Sequence, residues 1–346
     1  MTVRRALLTL TLCGTLFSAG AATPPSVAAP SAAVTAASTA TAPAPAPAGR
    51  VLAYGPHPRQ TVTVYGPQGG RRPALVVLHG GSWARDTDWS GWSRWFAARG
   101  FTVYDTDYRL SSDAVWSAQR ADVLAALRWI ARREGPGAAR PLLLGSSAGG
   151  HLAVSVGAYG EGRAYTRGVV ALSPVASPLR ALRDGTRPEA SDAQRALARA
   201  ARRLAGCDPG RAGRGDPGIA ARRAPGRAGQ GDPGIAAPRD PGQAGQEDPG
   251  IAAPRDPGRA GAGCRGRWGD MSAASHASGA RDAPLYLVHS AGDFVPPAHS
   301  AELAAAQADA GLRDVTARTL PGSAHGGPLL RAPGLADDVL RWLRAH

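Results

Sequence analysis

Apolar and polar positions along the chain form blocks that predict strands followed by helices. Short continuous apolar runs predict strands that are covered on both faces, and apolar residues spaced three and four positions apart predict helices. The predicted strands are residues 73–79, 101–108, 141–145, 168–176, 284–290 and 315–320, and the predicted helices are residues 89–100, 114–134, 149–158, 301–310 and 333–345. This order predicts the α/β fold class, with a mostly parallel central sheet flanked by helices.

A candidate catalytic serine lies at the end of the strand predicted at 141–145. Residues 145–149 read Gly-Ser-Ser-Ala-Gly, which matches the Gly-x-Ser-x-Gly pattern of a nucleophile elbow with Ser147 at its centre. In such a turn the backbone N–H of the next residue, Ala148, points towards a developing oxyanion. Ser146 is an alternative nucleophile, but it lacks the glycine spacing. In a chain with 45 glycines the pentapeptide is not specific by itself, so the assignment depends on partners elsewhere.

Two further side chains follow the ends of predicted strands. Asp293 comes just after the strand at 284–290, and His325 comes just after the strand at 315–320. Ligands bind beyond the carboxyl ends of the strands in open α/β sheets, so both side chains are expected near Ser147. A serine hydroxyl needs an imidazole to take its proton, and the imidazole needs a carboxylate to orient it. We therefore predict that Ser147 is the nucleophile, His325 the base and Asp293 the orienting acid.

The acid and the base each have rivals. Asp282 precedes its strand, which places it at the opposite end of the sheet from the predicted site. Asp293 as a plain turn residue is a further alternative. His289 lies within a predicted strand and His299 begins a predicted helix, so both are weaker candidates than His325.

A glycine pair directly after the strand at 73–79 predicts an oxyanion hole. Residues 78–83 read LHGGSW, and adjacent glycines let the backbone approach a substrate oxygen closely. The candidate donors of this loop, which would join the N–H of Ala148, are Gly80, Gly81 and Ser82. One such donor contributes roughly 10²–10³ in rate. Trp83, the next residue, is expected in the core, and the alternative is that it lines the substrate pocket.

Taken together, five motifs resemble those of the α/β-hydrolase esterases and lipases. In chain order they read HGGSW, DTDYRL, GSSAGGHLA, HSAGDFVPP and GSAHGG, and the order Ser147, Asp293, His325 is that of the family. The nearest branch is the hormone-sensitive-lipase and bacterial carboxylesterase group, which includes kynurenine-formamidase-like enzymes. The resemblance covers about residues 50–206 and 265–346. It implies an α/β-hydrolase fold and hydrolysis of small carboxylic esters without a cofactor.

The chain departs from that family pattern in two places. Ser82 stands where the family usually has a third glycine, which leaves the identity of the oxyanion donors open. The Pro-rich residues 23–49 offer no counterpart to the N-terminal helical cap of some members. Residues 176–206 are expected to form a small lid instead, and their RALARAARRLAG segment predicts an arginine-faced helix.

The N-terminal residues predict export from the cell. Arg4 and Arg5 precede a short apolar stretch and then small residues, as in a secretory signal peptide, which we place at residues 1–29. The apolar stretch is too short for stable membrane insertion. Residues 30–49 are rich in alanine and proline and predict a stiff linker. We therefore expect a secreted protein whose hydrolase domain begins near residue 50.

A low-complexity repeat interrupts the predicted domain at residues 208–263. The triplet DPG recurs there with a spacing of eight residues, and each unit offers too little apolar surface to build a stacked core. We interpret this segment as a disordered insertion. Cys207 and Cys264 bracket it, and two cysteines in an exported protein predict one disulfide.

Composition narrows the possible partners. The net charge is +14 and all 40 basic residues are arginine, but they are scattered and no aromatic residues interleave with them, so binding of nucleic acid is not expected. No spacing of His, Cys or Glu predicts a metal site. The sequence thus predicts a secreted serine esterase with a small-molecule substrate and leaves its oligomeric state open. The alternatives are an arylformamidase or peptidase on the same fold, or an inactive scaffold that binds partners through the repeat.

Overall fold

The computed structural model describes residues 49–67, 72–210 and 263–346. The predicted signal peptide, nearly all of the linker and nearly all of the repeat insertion lie outside these residues. The described part contains eight strands: β1 (Arg50–Ala53), β2 (Thr61–Tyr65), β3 (Ala74–Leu78), β4 (Thr102–Thr106), β5 (Leu142–Ser146), β6 (Val169–Leu172), β7 (Leu285–Ser290) and β8 (Val315–Leu320).

All eight strands belong to one sheet, in the order β1-β2-β4-β3-β5-β6-β7-β8. The pairings of β2 with β1 and with β4 are antiparallel, and every pairing from β4 across to β8 is parallel. The predicted α/β class with a mostly parallel sheet is confirmed. The antiparallel strands β1 and β2 were not predicted.

Helices connect the parallel strands and cover both faces of the sheet. They are α1 (Ser90–Ala97), α2 (Ala118–Glu134), α3 (Ala148–Gly157), α4 (Gly162–Tyr165), α5 (Pro178–Asp184), α6 (Asp192–Ala205), α7 (Cys264–Asp270), α8 (Ala298–Asp309) and α9 (Leu335–Ala345). Short 3₁₀ turns occur at Ala273–His276, Gly279–Arg281 and Gly327–Arg331. No helix among residues 49–67, 72–210 and 263–346 is long and apolar enough to cross a membrane.

The apolar runs form strands because both faces of the sheet are buried. Along β3, Leu75 and Val77 pack into one hydrophobic core, whereas Val76 and Leu78 pack into the other. Successive side chains of a strand point to opposite faces, so a strand between two helical layers must be apolar throughout. The continuous apolar pattern of residues 73–79 is thus explained by burial on both sides.

The strand register brings the carboxyl ends of the central strands to one edge of the sheet. Leu78 of β3 pairs with Gly145 of β5, and Ser146 of β5 pairs with Leu172 of β6. Leu172 in turn pairs with Val288 of β7. The residues that follow these strands are therefore neighbours in space, although they are far apart in the chain.

Between β6 and β7, helices α5 and α6 occupy the segment that was predicted as a lid. Ser191 caps α6 through a capping box with Gln194, and Gly206 ends the helix in the left-handed conformation. One side of α6 is buried through Leu197 and Leu204, and arginines line its exposed side. The arginine-faced helix is confirmed, and its action as a lid stays a prediction.

The predicted disulfide is present. Cys207 and Cys264 are joined, with their Cα atoms 5.9 Å apart and 57 positions apart in sequence. The bond connects the residue after Gly206 to the start of α7, and the indole N–H of Trp268 on α7 donates to the Cys207 carbonyl over 3.2 Å. The two ends of the repeat insertion are thereby held together, which lowers the chain entropy of the unfolded state.

Candidate active site

Ser147 occupies a sharp turn between β5 and α3. Its backbone has φ 53° and ψ −114°, a conformation that non-glycine residues rarely adopt. The turn needs glycine on both sides. A Cβ on Gly145 would lie 2.3 Å from the Gly149 carbonyl oxygen, and a Cβ on Gly149 would lie 2.2 Å from the Leu78 carbonyl oxygen. The sequence pattern Gly-x-Ser-x-Gly is therefore required by backbone packing at this strand-to-helix junction.

Backbone hydrogen bonds fix the strained residue in place. The N–H of Ser147 donates to the Leu172 carbonyl over 2.9 Å, and the Ser147 carbonyl accepts from the N–H of His151 at 2.9 Å. Ser147 directly precedes α3, so the partial positive charge of that helix terminus lies beside its hydroxyl. The residue is 5 % exposed, which keeps the hydroxyl in a largely dry environment.

His325 and Asp293 form a hydrogen-bonded pair. The His325 Nδ1 atom lies 2.8 Å from Oδ1 of Asp293, which fixes Nδ1 as the protonated nitrogen and leaves Nε2 for another partner. The Asp293 side chain is fully buried, whereas the His325 side chain is 23 % exposed. The structure thus brings together the predicted base and acid, and the imidazole is the accessible member of the pair.

The His325 loop packs directly against the elbow that carries Ser147. The N–H of Gly327 donates to Oγ of Ser146 over 3.1 Å, so the loop is bonded to the residue that precedes the candidate nucleophile. The Ser290 hydroxyl donates to the Ala324 carbonyl over 2.8 Å, which holds the other side of the same loop against β7. These bonds place Ser147, Asp293 and His325 at one edge of the sheet.

Sequence reasoning missed Ser173 and Phe294. Ser173 follows β6, and its hydroxyl donates to Oδ2 of Asp293 over 2.5 Å. The N–H of Val295 donates to Oδ1 of Asp293 over 2.9 Å. The Phe294 ring lies 4.2 Å from the His325 ring, between centroids, and restricts its tilt. The strand predicted at 168–176 placed Ser173 in its interior; the observed β6 ends at Leu172, so Ser173 follows a carboxyl end, where site residues lie.

The predicted oxyanion donors differ in whether their backbone N–H is already hydrogen-bonded. Gly80 lies against the elbow, since a Cβ built on it would be 3.3 Å from the Cβ of Ser147. Its N–H, however, donates to Oγ1 of Thr87 over 3.2 Å and is therefore occupied. Of the candidate donors, Gly81, Ser82 and Ala148 have backbone N–H groups that make no hydrogen bond to the described residues.

His79 holds the oxyanion loop in place through both of its ring nitrogens. Its Nδ1 atom bonds the Gly80 carbonyl over 2.7 Å, and its Nε2 atom lies 3.1 Å from Oδ1 of Asp107. The imidazole stacks on the Tyr108 ring with a centroid distance of 4.3 Å, and the Tyr108 hydroxyl donates to the His79 carbonyl over 2.8 Å. The HGGSW and DTDYRL motifs therefore form one network that shapes the loop.

Trp83 occupies a different position from the one expected of a pocket residue. Its side chain is fully buried in the core, and its indole N–H donates to Nδ1 of His151 over 3.2 Å. The Nε2 atom of His151 bonds the Met271 carbonyl over 2.9 Å, and burial lowers the pKa of His151 to about 4. In this structure the Trp83 ring has no exposed surface.

The alternatives to Asp293 and His325 are held in the fold by contacts of their own. Asp282 is buried and accepts hydrogen bonds from the N–H groups of Gly160 and Ser278 and from the Gln307 amide. His289 lies in β7 beside the Ser300 hydroxyl, and burial lowers its pKa to about 4. His299 lies in the first turn of α8, and burial holds its pKa well below the usual range. All three are buried, whereas the imidazole of His325 is partly exposed.

A metal site is not formed in the part of the chain that the structure describes. No group of three or more His, Cys, Asp or Glu side chains there is arranged to hold an ion. This edge of the sheet presents a buried hydroxyl, an oriented imidazole and unpaired backbone N–H groups.

Comparisons with known proteins agree with this architecture. A family model named BD-FAE matches residues 62–171, and no curated protein sequence matches the chain. Esterase B from Lactobacillus Rhamnosis (HN001) is similar in structure, with a TM-score of 0.56 and 20% identity over 86% of this chain and 84% of its own. The planctomycete Thermogutta terrifontis has an esterase with a TM-score of 0.53 and 20% identity over 88% and 94% of the two chains.

A third similar structure is an acetyl ester-xyloside bifunctional hydrolase from Caldicellulosiruptor lactoaceticus. Its TM-score is 0.56 at 16% identity, over 87% of this chain and 98% of that protein. At such identities the likeness establishes the fold, and none of these comparisons singles out the hormone-sensitive-lipase branch. Together with the sheet order and the strand-to-helix turn at Ser147, they show that this chain has the α/β-hydrolase fold.

Proposed function

We propose that this protein is a serine hydrolase that cleaves carboxylic esters through an acyl-enzyme on Ser147. The observation that carries the proposal is the strained turn at Ser147, with the bonded pair of His325 and Asp293 held against the same edge of the sheet. Backbone strain of this kind is retained where it serves a function. The esterases among the similar structures support ester hydrolysis over other chemistry on this fold.

The first half of the reaction forms the acyl-enzyme. Ser147 Oγ attacks the ester carbonyl carbon while its proton passes to Nε2 of His325, the nitrogen that Asp293 leaves available. The tetrahedral oxyanion is stabilised by the unpaired backbone N–H groups of Gly81, Ser82 and Ala148. The intermediate then collapses, the bond to the alcohol oxygen breaks, and the alcohol leaves with the proton from His325.

The second half repeats these roles with water. His325 takes a proton from a water molecule, which attacks the acyl carbon, and the same backbone N–H groups stabilise the second oxyanion. The bond to Ser147 Oγ breaks, the serine regains its proton from His325, and the carboxylic acid leaves. Asp293 keeps its negative charge throughout and stabilises the imidazolium in both halves.

A substrate panel with one serine variant tests this proposal. The purified protein, Ser147→Ala and a control, Ser155→Ala, are assayed on p-nitrophenyl acetate, butyrate and a long-chain ester, on an acetylated xyloside and on an N-formylanilide. Ser155 is suitable because its hydroxyl donates to the His151 carbonyl within α3. We expect ester hydrolysis by the wild type and the control and its loss in Ser147→Ala. A folded wild type that cleaves only the anilide, or no substrate, would overturn ester hydrolysis.

We also propose that the protein is secreted. The charged and apolar segments of residues 1–29 support export, and so does the disulfide, because such bonds persist mainly in oxidising compartments. Expression of the full chain in a host with a secretory pathway should yield protein outside the cytoplasm that lacks the N-terminal residues. Cytoplasmic protein with an intact N-terminus would contradict secretion.

A further inference from the structure

Ser173 occupies a position between the two partners of the candidate nucleophile. It directly follows β6, is fully buried, and has a positive φ of 48°. Its hydroxyl donates to Oδ2 of Asp293 over 2.5 Å, and its oxygen accepts from the N–H of Gly326 at 2.9 Å. One hydroxyl thus joins the carboxylate to the residue that follows His325.

We propose that Ser173 is a positioning residue for the hydrolysis proposed above, on which this inference rests. The Asp293 carboxylate is buried and must be held by donors, because an ion without hydrogen bonds is costly in the interior. Its Oδ1 atom accepts from both His325 and Val295. Among the described residues (49–67, 72–210 and 263–346), the Ser173 hydroxyl is the one hydrogen-bond donor to Oδ2 of Asp293. The hydroxyl therefore fixes the plane of the carboxylate relative to the imidazole.

The second bond of Ser173 holds the residue next to the histidine. Gly326 is adjacent to His325 in the chain, so the bond from its N–H fixes the backbone that carries the imidazole. Ser146 provides a parallel contact, since its Oγ accepts from the N–H of Gly327 at 3.1 Å. Ser146 thus anchors only the loop, whereas Ser173 anchors the loop and orients the acid. The two serines can be compared to separate these effects.

The left-handed backbone conformation of Ser173 does not explain why this residue is a serine. Glycine adopts a φ near +50° without strain, and serine does so only at a cost. The N–H of Ser173 donates to the Val288 carbonyl over 2.7 Å, and glycine would keep that bond. Serine at this position is therefore explained by its hydroxyl, and by the two groups that the hydroxyl contacts.

The test compares variants of Ser173 with matched serine variants elsewhere. Ser173→Ala removes the hydroxyl, and Ser173→Gly removes it while relieving the backbone strain, so that one of the two remains informative if the other folds poorly. Ser146→Ala removes a loop contact alone. Ser93→Ala is the remote control, because Ser93 also donates to a buried carboxylate, that of Asp105, over 2.9 Å.

We expect kcat of Ser173→Ala and Ser173→Gly to fall by about 10- to 100-fold with KM nearly unchanged, because misplacement of a catalytic group acts mainly in the transition state. The loss should exceed that of Ser146→Ala, and Ser93→Ala should resemble the wild type. In proton NMR spectra, the downfield resonance of the His325 Nδ1 proton should shift or disappear in both Ser173 variants and persist in Ser93→Ala.

An unchanged kcat together with an unchanged resonance in folded Ser173 variants would overturn the inference while ester hydrolysis stands. A loss of stability without a selective loss of kcat would overturn it as well, since it would mean that Ser173 serves only the fold. A wild type that hydrolyses no ester would instead contradict the proposed ester hydrolysis. Failure of the Ser173 inference and failure of the proposed function therefore give different results.

Discussion

The Nδ1 atom of His325 lies 2.8 Å from Oδ1 of Asp293, and this bond couples the loop after β8 to the loop after β7. The bond determines which ring nitrogen carries the proton. It also places a negative charge where an imidazolium would form.

Replacing Asp293 by Asn should reduce kcat by about 10⁴-fold with a small change in KM, because the amide favours the wrong imidazole tautomer. Steady-state kinetics on the best ester of the panel measure this effect. Asp282→Asn is the control, since that carboxylate bonds backbone N–H groups far from His325. It should lower stability and leave kcat per folded molecule intact. Retention of wild-type kcat in Asp293→Asn would assign the acid to another residue.

The sheet and the neighbourhood of the candidate site could be predicted from the apolar pattern. Strands buried on both faces must be apolar throughout, and the residues after their carboxyl ends meet at one edge, which predicted that Asp293 and His325 lie near Ser147 of the Gly-x-Ser-x-Gly motif. The strand Arg50–Ala53 was missed because it is mostly exposed and its apolar run is only three residues long. Ser173 was missed because its partners lie 120 and 153 positions further along the chain.

Trp83 illustrates a different limit. Its sequence neighbours place it beside the oxyanion loop, but the direction of its ring depends on His151, which lies 68 positions away. A tryptophan with its N–H satisfied in the core and one that lines a pocket have the same local sequence. Only the tertiary packing distinguishes them.

Gly149→Ala should destabilise the fold strongly. The added Cβ would lie 2.2 Å from the Leu78 carbonyl oxygen and 2.3 Å from that of His79, and neither backbone can move without breaking the oxyanion loop. Gly91→Ala is the matched control in α1, where an added Cβ meets no atom within 4 Å. It should raise stability by about 0.5–1 kcal/mol through helix propensity. Urea unfolding monitored by circular dichroism measures both changes, and equal stability of the two variants would refute the close backbone approach.

Stability should decrease on acidification because buried histidines resist protonation. Burial lowers the pKa of His289 to about 4, whereas an unfolded histidine protonates near pH 6.5. Between these values the unfolded state binds more protons, so stability is lost as pH falls through this range. His289→Gln should therefore lose less stability than the wild type between about pH 7 and about pH 5, by roughly 2 kcal/mol.

Urea titrations of both proteins at the two pH values give this difference. Asp105, whose pKa burial raises to about 6, contributes with the opposite sign but is present in both proteins and cancels. An identical pH dependence of the wild type and His289→Gln would mean that His289 is not held neutral by the fold.

Covalent capture of the nucleophile tests the central claim most directly. Diethyl p-nitrophenyl phosphate transfers its phosphoryl group to an activated serine with loss of p-nitrophenolate, and the adduct resists hydrolysis. Trypsin cleaves after Arg133 and Arg163 but not at the Arg140–Pro141 bond, so a single peptide carries both Ser146 and Ser147, and its fragment masses distinguish them. We predict an adduct on Ser147 in the wild type and none in Ser147→Ala. An adduct on Ser146, or an active enzyme that takes up no label, would contradict the account.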